Sequence, residues 1–292
     1  MTFDIPNKDG LWVFNSPMST NREFTTWVKP TQYNNFIFYV CGAGGGGSSG
    51  TGTGGGTARG GGAGGGGGQL TILNAPSYLL PEVLYINVGK GGLGAQTTGT
   101  LGAAGGTTYL CYYPNTQAAN IIAQGNGANG TANAASAGTG ANAGAGIAPT
   151  INQTIFSVSA MYGSQGGNGA SASTSGANGN DFTSTVSCIY GGAGGGSVGT
   201  DNVAYNGGGF PATSLYPRVD GGIGSRNSGC GGFLLKKPFT SIGGSGGASN
   251  DSVGAAGTGG NGSWGSGGGG GGGGLLSKGG NGGDGFVIII GY

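Results

Sequence analysis

The segment Gly285-Phe-Val-Ile-Ile-Ile-Gly-Tyr292 decides the fold. Five consecutive large apolar residues, Phe286 to Ile290, leave no polar face, and such a strand belongs in a sheet covered on both sides. As an open edge it would template aggregation. It must therefore pair inside a sheet begun elsewhere, and the segments nearest in kind stand early in the chain. Leu11-Trp-Val-Phe14, Glu23-Phe-Thr-Thr-Trp-Val28 and Phe36-Ile-Phe-Tyr-Val40 are short, aromatic and β-branched, separated by Pro, Asn and Ser. The reading is one domain over 1–292. Residues 1–45 and 285–292 share its core sheet, and 42–284 elaborate it.

Working inward, further strand signals fall at Gln69-Leu-Thr-Ile-Leu73, Val83-Leu-Tyr-Ile-Asn-Val88, Thr107-Thr-Tyr-Leu-Cys-Tyr-Tyr113 and Ile121-Ile-Ala-Gln124. Two more are Ile155-Phe-Ser-Val-Ser-Ala160 and Thr185-Val-Ser-Cys-Ile-Tyr190. No stretch keeps the 3.6-residue apolar period of a helix over three turns. The fold class expected is all-β, a β-sandwich.

Glycine fills most of the space between these strands: 79 of 292 residues, with only 10 Pro and no Gly-X-Y period, which excludes a collagen triple helix. Disordered chains carry many charges and few aromatics, whereas this one is 7% charged and 9% aromatic. Ordering a glycine costs roughly 0.5–1 kcal/mol more than ordering an alanine, and no side-chain burial offsets it. Polyproline II helices packed side by side supply an alternative, because glycine at the touching positions admits close backbone hydrogen bonds and Cα–H···O contacts. Spacings such as Gly125-Asn-Gly-Ala-Asn-Gly130 and Gly279-Gly-Asn-Gly-Gly-Asp-Gly285 suit that lattice. Projecting glycine-rich polyproline II segments are therefore expected, including residues 125–146.

The charges, 10 basic and 9 acidic, are scattered and the net is +1. Nucleic-acid binding needs a clustered basic face, so no nucleic-acid partner is expected. No segment has the apolar length of a membrane span. The start, Met1-Thr-Phe-Asp-Ile-Pro6, lacks the basic and apolar regions of a signal peptide, which predicts cytoplasmic synthesis. In that setting Cys41, Cys111, Cys188 and Cys230 are expected as reduced, buried thiols.

Gly125-Asn-Gly-Ala-Asn-Gly130 matches a dinucleotide fingerprint, but no amphipathic helix follows it. Gly243-Gly-Ser245-Gly-Gly247 matches a nucleophile elbow. The chain has no histidine, so no Ser-His-Asp triad is available and the commonest zinc ligand is missing. The expectation is no catalytic residue, cofactor or metal. The side chains that stand out against glycine are Tyr205, Phe210, Tyr216, Arg218 and Trp264. Aromatics beside an Arg are the usual anchors of a binding surface, and their alternative role is to plug gaps in a core. Pro211 and Pro217 would stiffen the loop that carries them.

Four segments, in order, resemble the glycine-rich domain of bacteriophage tail-fibre and receptor-recognition proteins. They are Tyr39-Val-Cys-Gly-Ala-Gly-Gly-Gly-Gly47, Asn87-Val-Gly-Lys-Gly-Gly-Leu-Gly94, Gly105-Gly-Thr-Thr-Tyr109 and Gly280-Asn-Gly-Gly-Asp-Gly-Phe-Val-Ile288. The resemblance implies a β-sandwich with projecting polyproline II helices and apical loops that contact a host receptor. It also implies a virion location, other virion proteins as partners, and a homotrimer as one oligomeric form. A capsid-decorating role, a minor capsid protein of a large eukaryotic virus, and a polyproline II ice-binding protein are the alternatives.

Overall fold

The computed structural model describes residues 10–15, 24–52, 57–136, 156–181, 189–212, 218–236, 239–251 and 254–292. Among them run β1 (Leu11–Phe14), β2 (Thr25–Val28), β3 (Asn35–Cys41), β4 (Leu70–Pro76), β5 (Val83–Asn87) and β6 (Thr108–Cys111). β7 (Ile121–Gly125), β8 (Ser157–Met161), β9 (Leu234–Lys236), β10 (Phe239–Ser241) and β11 (Phe286–Gly291) complete them. The fold is all-β: a five-stranded sheet in the order β1-β11-β3-β4-β8 packs on a four-stranded sheet, β2-β5-β6-β7, and β9-β10 form a separate hairpin. Neighbouring strands in both sheets are antiparallel.

Two-residue alternation builds the core. Phe36, Phe38 and Val40 of β3 are buried against Leu84 and Ile86 of β5, Leu110 of β6 and Ile122 of β7. Trp27 of β2 ties the sheets together, its ring edge-on to Phe36 at 5.2 Å, Trp12 at 5.7 Å and Phe38 at 5.8 Å. β11 lies between β1 and β3, with Ile289 opposite Trp12 on one side and Phe38 on the other. Its two faces differ. Val287 and Ile289 enter the sandwich core, while Phe286 and Ile288 face a smaller cluster with Cys41, Leu70, Ile189 and Trp264.

Glycine-rich segments continue the strands away from one end of the sandwich: 42–51 follow β3, 60–69 lead into β4, and 278–285 lead into β11. Their hydrogen bonds repeat every third residue. The N–H groups of 42, 45, 48 and 51 donate to the carbonyls of Gln69, Gly66, Ala63 and Gly60. Those of 43, 46 and 49 donate to Gly106, Ala103 and Thr100, and those of 44 and 47 to Gly283 and Gly280. Gly50 N–H completes the third set on Ser277 Oγ at 2.8 Å. One segment thus binds three neighbours in turn, and its buried backbone groups find the partners that burial demands.

The uninterrupted glycines 267–274 sit at the centre of this lattice. They donate to segments 190–196, 45–51 and 257–260, and accept from Gly62 and Gly65, from Gly244, Gly247 and Asn250, and from Gly280. A Cβ at Gly267, Gly268 or Gly269 would lie 2.0, 2.1 or 2.1 Å from a backbone oxygen of a different neighbour. Only a residue without a side chain fits. At the lattice edge the pattern relaxes to Gly-Gly-x, and x points outward, as with the exposed Gln165, Asn168 and Ser171.

Three sequence expectations are corrected or bounded here. The β9-β10 hairpin was not foreseen, because Lys236-Lys237-Pro238 reads as a loop. Cys41 and Cys111 are buried, but Cys230 is exposed, standing on an edge segment where the lattice has no outer neighbour. Residues 126–131 join the lattice, whereas 137–146, Cys188 and most of the segment 185–190 lie outside the described residues.

Candidate functional site

Of the five sequence-selected side chains, the four that are described, Tyr205, Phe210, Arg218 and Trp264, do not form one patch. Tyr205 is half-buried near the end of the lattice far from the sandwich, its backbone N–H donating to Ser249 Oγ at 2.7 Å. Phe210, five residues on, lies at the near end and is 1% exposed among Tyr190, Ala193 and Ile242. As a contact residue Phe210 is corrected: segment 205–210 crosses the lattice, and a ring at its end plugs the gap beneath neighbouring segments. Arg218 is exposed and ion-paired with Asp220, which holds its guanidinium charged and pushes its pKa up. Tyr216 lies outside the described residues. Trp264 is half-buried and packs on Phe286, ring centroids 5.9 Å apart.

The motif residues are lattice parts. Ser245 is buried and its Oγ accepts the Cys230 N–H at 2.7 Å. A Cβ on Gly127 would lie 2.2 Å from Gly105 O. Among the described residues no group of three His, Cys, Asp or Glu stands ready to hold a metal ion, and no helix is long and apolar enough to cross a membrane.

Two other surfaces carry organised chemistry. The first is the apex, where lattice segments turn. The described non-glycine residues with positive φ all sit there: Asn202 at 55°, Arg226 at 72° and Leu276 at 54°. Each costs of order 1 kcal/mol or more, and Leu276 is moreover 72% exposed. Beneath them Arg59 is fully buried, donating to Asn202 Oδ1 at 3.3 Å, with its pKa lowered by desolvation against the opposing pull of Asp251.

The second is a flank on which three edge segments run side by side. Segment 89–96 presents Lys90, Leu93 and Gln96 outward. Segment 278–285 presents Lys278, Asn281 and Asp284; Asn281 Oδ1 accepts the Gly94 N–H at 2.8 Å and Asp284 Oδ1 the Gly91 N–H at 2.7 Å. Segment 257–264 presents Thr258, Asn261 and Trp264, with Asn261 Oδ1 accepting the Asn281 N–H at 2.9 Å. A polar groove of about 400 Å³ opens between the last two rows and Gly231. Apart from Trp264, sequence reasoning passed over these residues because each one, alone among glycines, looks like a loop residue. Their common three-residue spacing was the signal available.

The sequence matches no known family model and no curated protein.

Proposed function

We propose that the chain is a non-enzymatic virion protein of the bacteriophage adhesin kind, with the sandwich as its mount and the apical turns as its contact surface. The observation that carries this reading is the three-residue hydrogen-bond period running from sandwich to apex. Three residues per turn is the period of a polyproline II helix, and a bundle of such helices is a stiff post with almost no side chains inside. Such a post has no interior room for a substrate and offers side chains only on its flanks and tip. Strained residues gathered at the tip fit a surface shaped for contact rather than for stability alone.

Immunogold labelling of intact particles with an antibody to this chain tests the assignment. Gold at the tail tip is expected; gold on the head would instead favour the capsid-decorating alternative, and unlabelled particles would overturn both. An ice-binding face would repeat one small residue type, whereas the flank rows mix Lys, Leu, Asp and Trp. Thermal hysteresis of the purified protein separates that alternative.

A further inference from the structure

Gly231 is the starting point. Most lattice glycines are compulsory, because a Cβ would strike a neighbour's backbone at 2–3 Å. At Gly231 the nearest atom to an added Cβ is Asn261 O at 3.8 Å, and no positive φ requires glycine. The position points outward and is exposed. Neither packing nor backbone conformation explains a glycine there. Its effect is to leave open the groove bounded by Thr258, Asn261, Lys278, Asn281 and Gln96.

The groove's polar groups are fixed in advance. Asn261 and Asn281 each spend the side-chain oxygen on a backbone N–H, at 2.9 and 2.8 Å. Their Nδ2 groups have no hydrogen-bond partner among the described residues and remain as oriented donors. Gln96 is held the opposite way, its Nε2 donating to Gly94 O at 2.8 Å and its Oε1 left as an acceptor. Lys278 is exposed and forms no ion pair among the described residues. Asp284 stands one period along the row, its Oδ1 accepting the Gly91 N–H, and Lys90 projects from the adjoining segment. One period beyond Asn261 lies Trp264, braced from behind by Phe286.

We infer that this groove binds an acidic glycan: a sugar chain carrying a carboxylate or phosphate. Oriented amide donors and an amide acceptor match adjacent sugar hydroxyls, the braced indole suits the apolar face of a neighbouring ring, and Lys278 supplies a single point charge for one anionic group. A nucleic acid would need a clustered basic surface, and an apolar ligand would need a lining of hydrophobic side chains; the groove has neither. Because the side chains are already tethered, little ordering cost opposes binding. The inference deepens the attachment reading and rests on it for its biological setting. The groove's chemistry is tested independently of where gold falls on a particle.

The test uses the full chain labelled with ¹⁵N and three probes: a trimer of galacturonate, galacturonate itself, and neutral maltotriose. The expected result is saturable shifts of the Asn261 and Asn281 side-chain amide signals and of the Gly231 amide, strongest with the acidic trimer. Gly231→Leu, which meets no backbone obstruction, should weaken the trimer at least tenfold with an unchanged melting temperature. Lys278→Gln should remove the preference for the acidic probe. Absence of shifts with all three probes would overturn the inference, as would unchanged affinity in Gly231→Leu. Equal response to maltotriose would overturn the acidic class, and monomer binding as tight as trimer would overturn a glycan chain as the source.

Discussion

Replacing Gly270 by Ala isolates what the lattice demands. The new Cβ would lie 2.1 Å from Gly62 O and 2.4 Å from Gly62 C, both backbone atoms of a neighbour. Ordinary contact begins near 3.4 Å, so the two segments must part by more than an ångström. The surrounding hydrogen bonds are Gly62 N–H to Gly271 O at 2.7 Å, Gly270 N–H to Ala193 O at 2.9 Å and Gly247 N–H to Gly270 O at 2.9 Å. Overpacking costs about 1–3 kcal/mol, and each buried amide left without its partner adds about 1–3 kcal/mol. Restricting the unfolded chain returns only about 0.4–1 kcal/mol. The net expectation is a loss of about 3–5 kcal/mol, a large fraction of a typical domain's 5–15 kcal/mol. Gly231→Ala is the matched control: with no obstruction it retains the unfolded-state term alone and should stabilise slightly. Urea midpoints of the two variants give the comparison. If Gly270→Ala unfolds at the same urea concentration as Gly231→Ala, close backbone packing is not what fixes glycine here.

Three further outcomes are expected. Deleting residues 285–292 removes the strand between β1 and β3 and should abolish soluble folding; a soluble, cooperatively unfolding truncation would refute the shared core. Phe210→Ala should cost about 3–5 kcal/mol, as for other buried Phe, while Arg218→Ala, which removes only a solvent-exposed ion pair, should leave the urea midpoint nearly unchanged; equal urea midpoints for the two variants would contradict the plug assignment. Burial pushes the Cys111 thiol from its ordinary value near 9 up to about 11. The unfolded thiol therefore ionises first, so this contribution to stability is full below about pH 9 and is lost as pH rises toward 11. Urea midpoints from pH 7 to 10.5 should fall less steeply in Cys111→Ala than in the parent chain, and identical slopes would count against a buried neutral thiol.

Side-chain periodicity made the sandwich legible. The alternation of Phe36, Phe38 and Val40 and the apolar run of β11 specify faces, and faces specify pairing. The lattice was legible only in period. Eight glycines at 267–274 signal a segment enclosed on every side, and Gly-Gly-x signals an edge. Which segment lies beside which was hidden, because glycine carries no side chain to record a partner: 42–51 run antiparallel to 60–69, yet 267–274 run parallel to 45–51. The same blindness misjudged Phe210. Flanked by Gly and Pro it reads as a loop residue, but a ring at the end of a lattice segment falls into the gap where segments meet the base.

That blindness also explains where chemistry collects in such a protein. The lattice interior is mostly glycine with a few small residues such as Ala63, Ala193, Ser48 and Ser245, and hydroxyls such as those of Ser48 and Ser245 are spent on backbone N–H groups, so it offers little chemistry beyond the peptide. Selection for binding acts only on the outward third residue of edge segments and on the turns. On the outward rows the spacing is set by the three-residue period of the backbone hydrogen bonds rather than by the ligand, so a ligand must match that repeat or enter a gap. Gly231 creates the gap. Where an outward position could hold any residue, the smallest one opens a groove beside Asn261, and its neighbours then present amides already locked by their own oxygens. The turns follow another rule: they escape the period, and Asn202, Arg226 and Leu276 meet the cost with positive φ. Flank and apex are therefore independent surfaces on one post. Leu276→Gly, which relieves the φ strain and removes the exposed side chain, should leave the groove amide shifts with the acidic trimer unchanged while reducing host-cell adsorption. Loss of those shifts in Leu276→Gly would mean the two surfaces are coupled, and the separation argued here would fail.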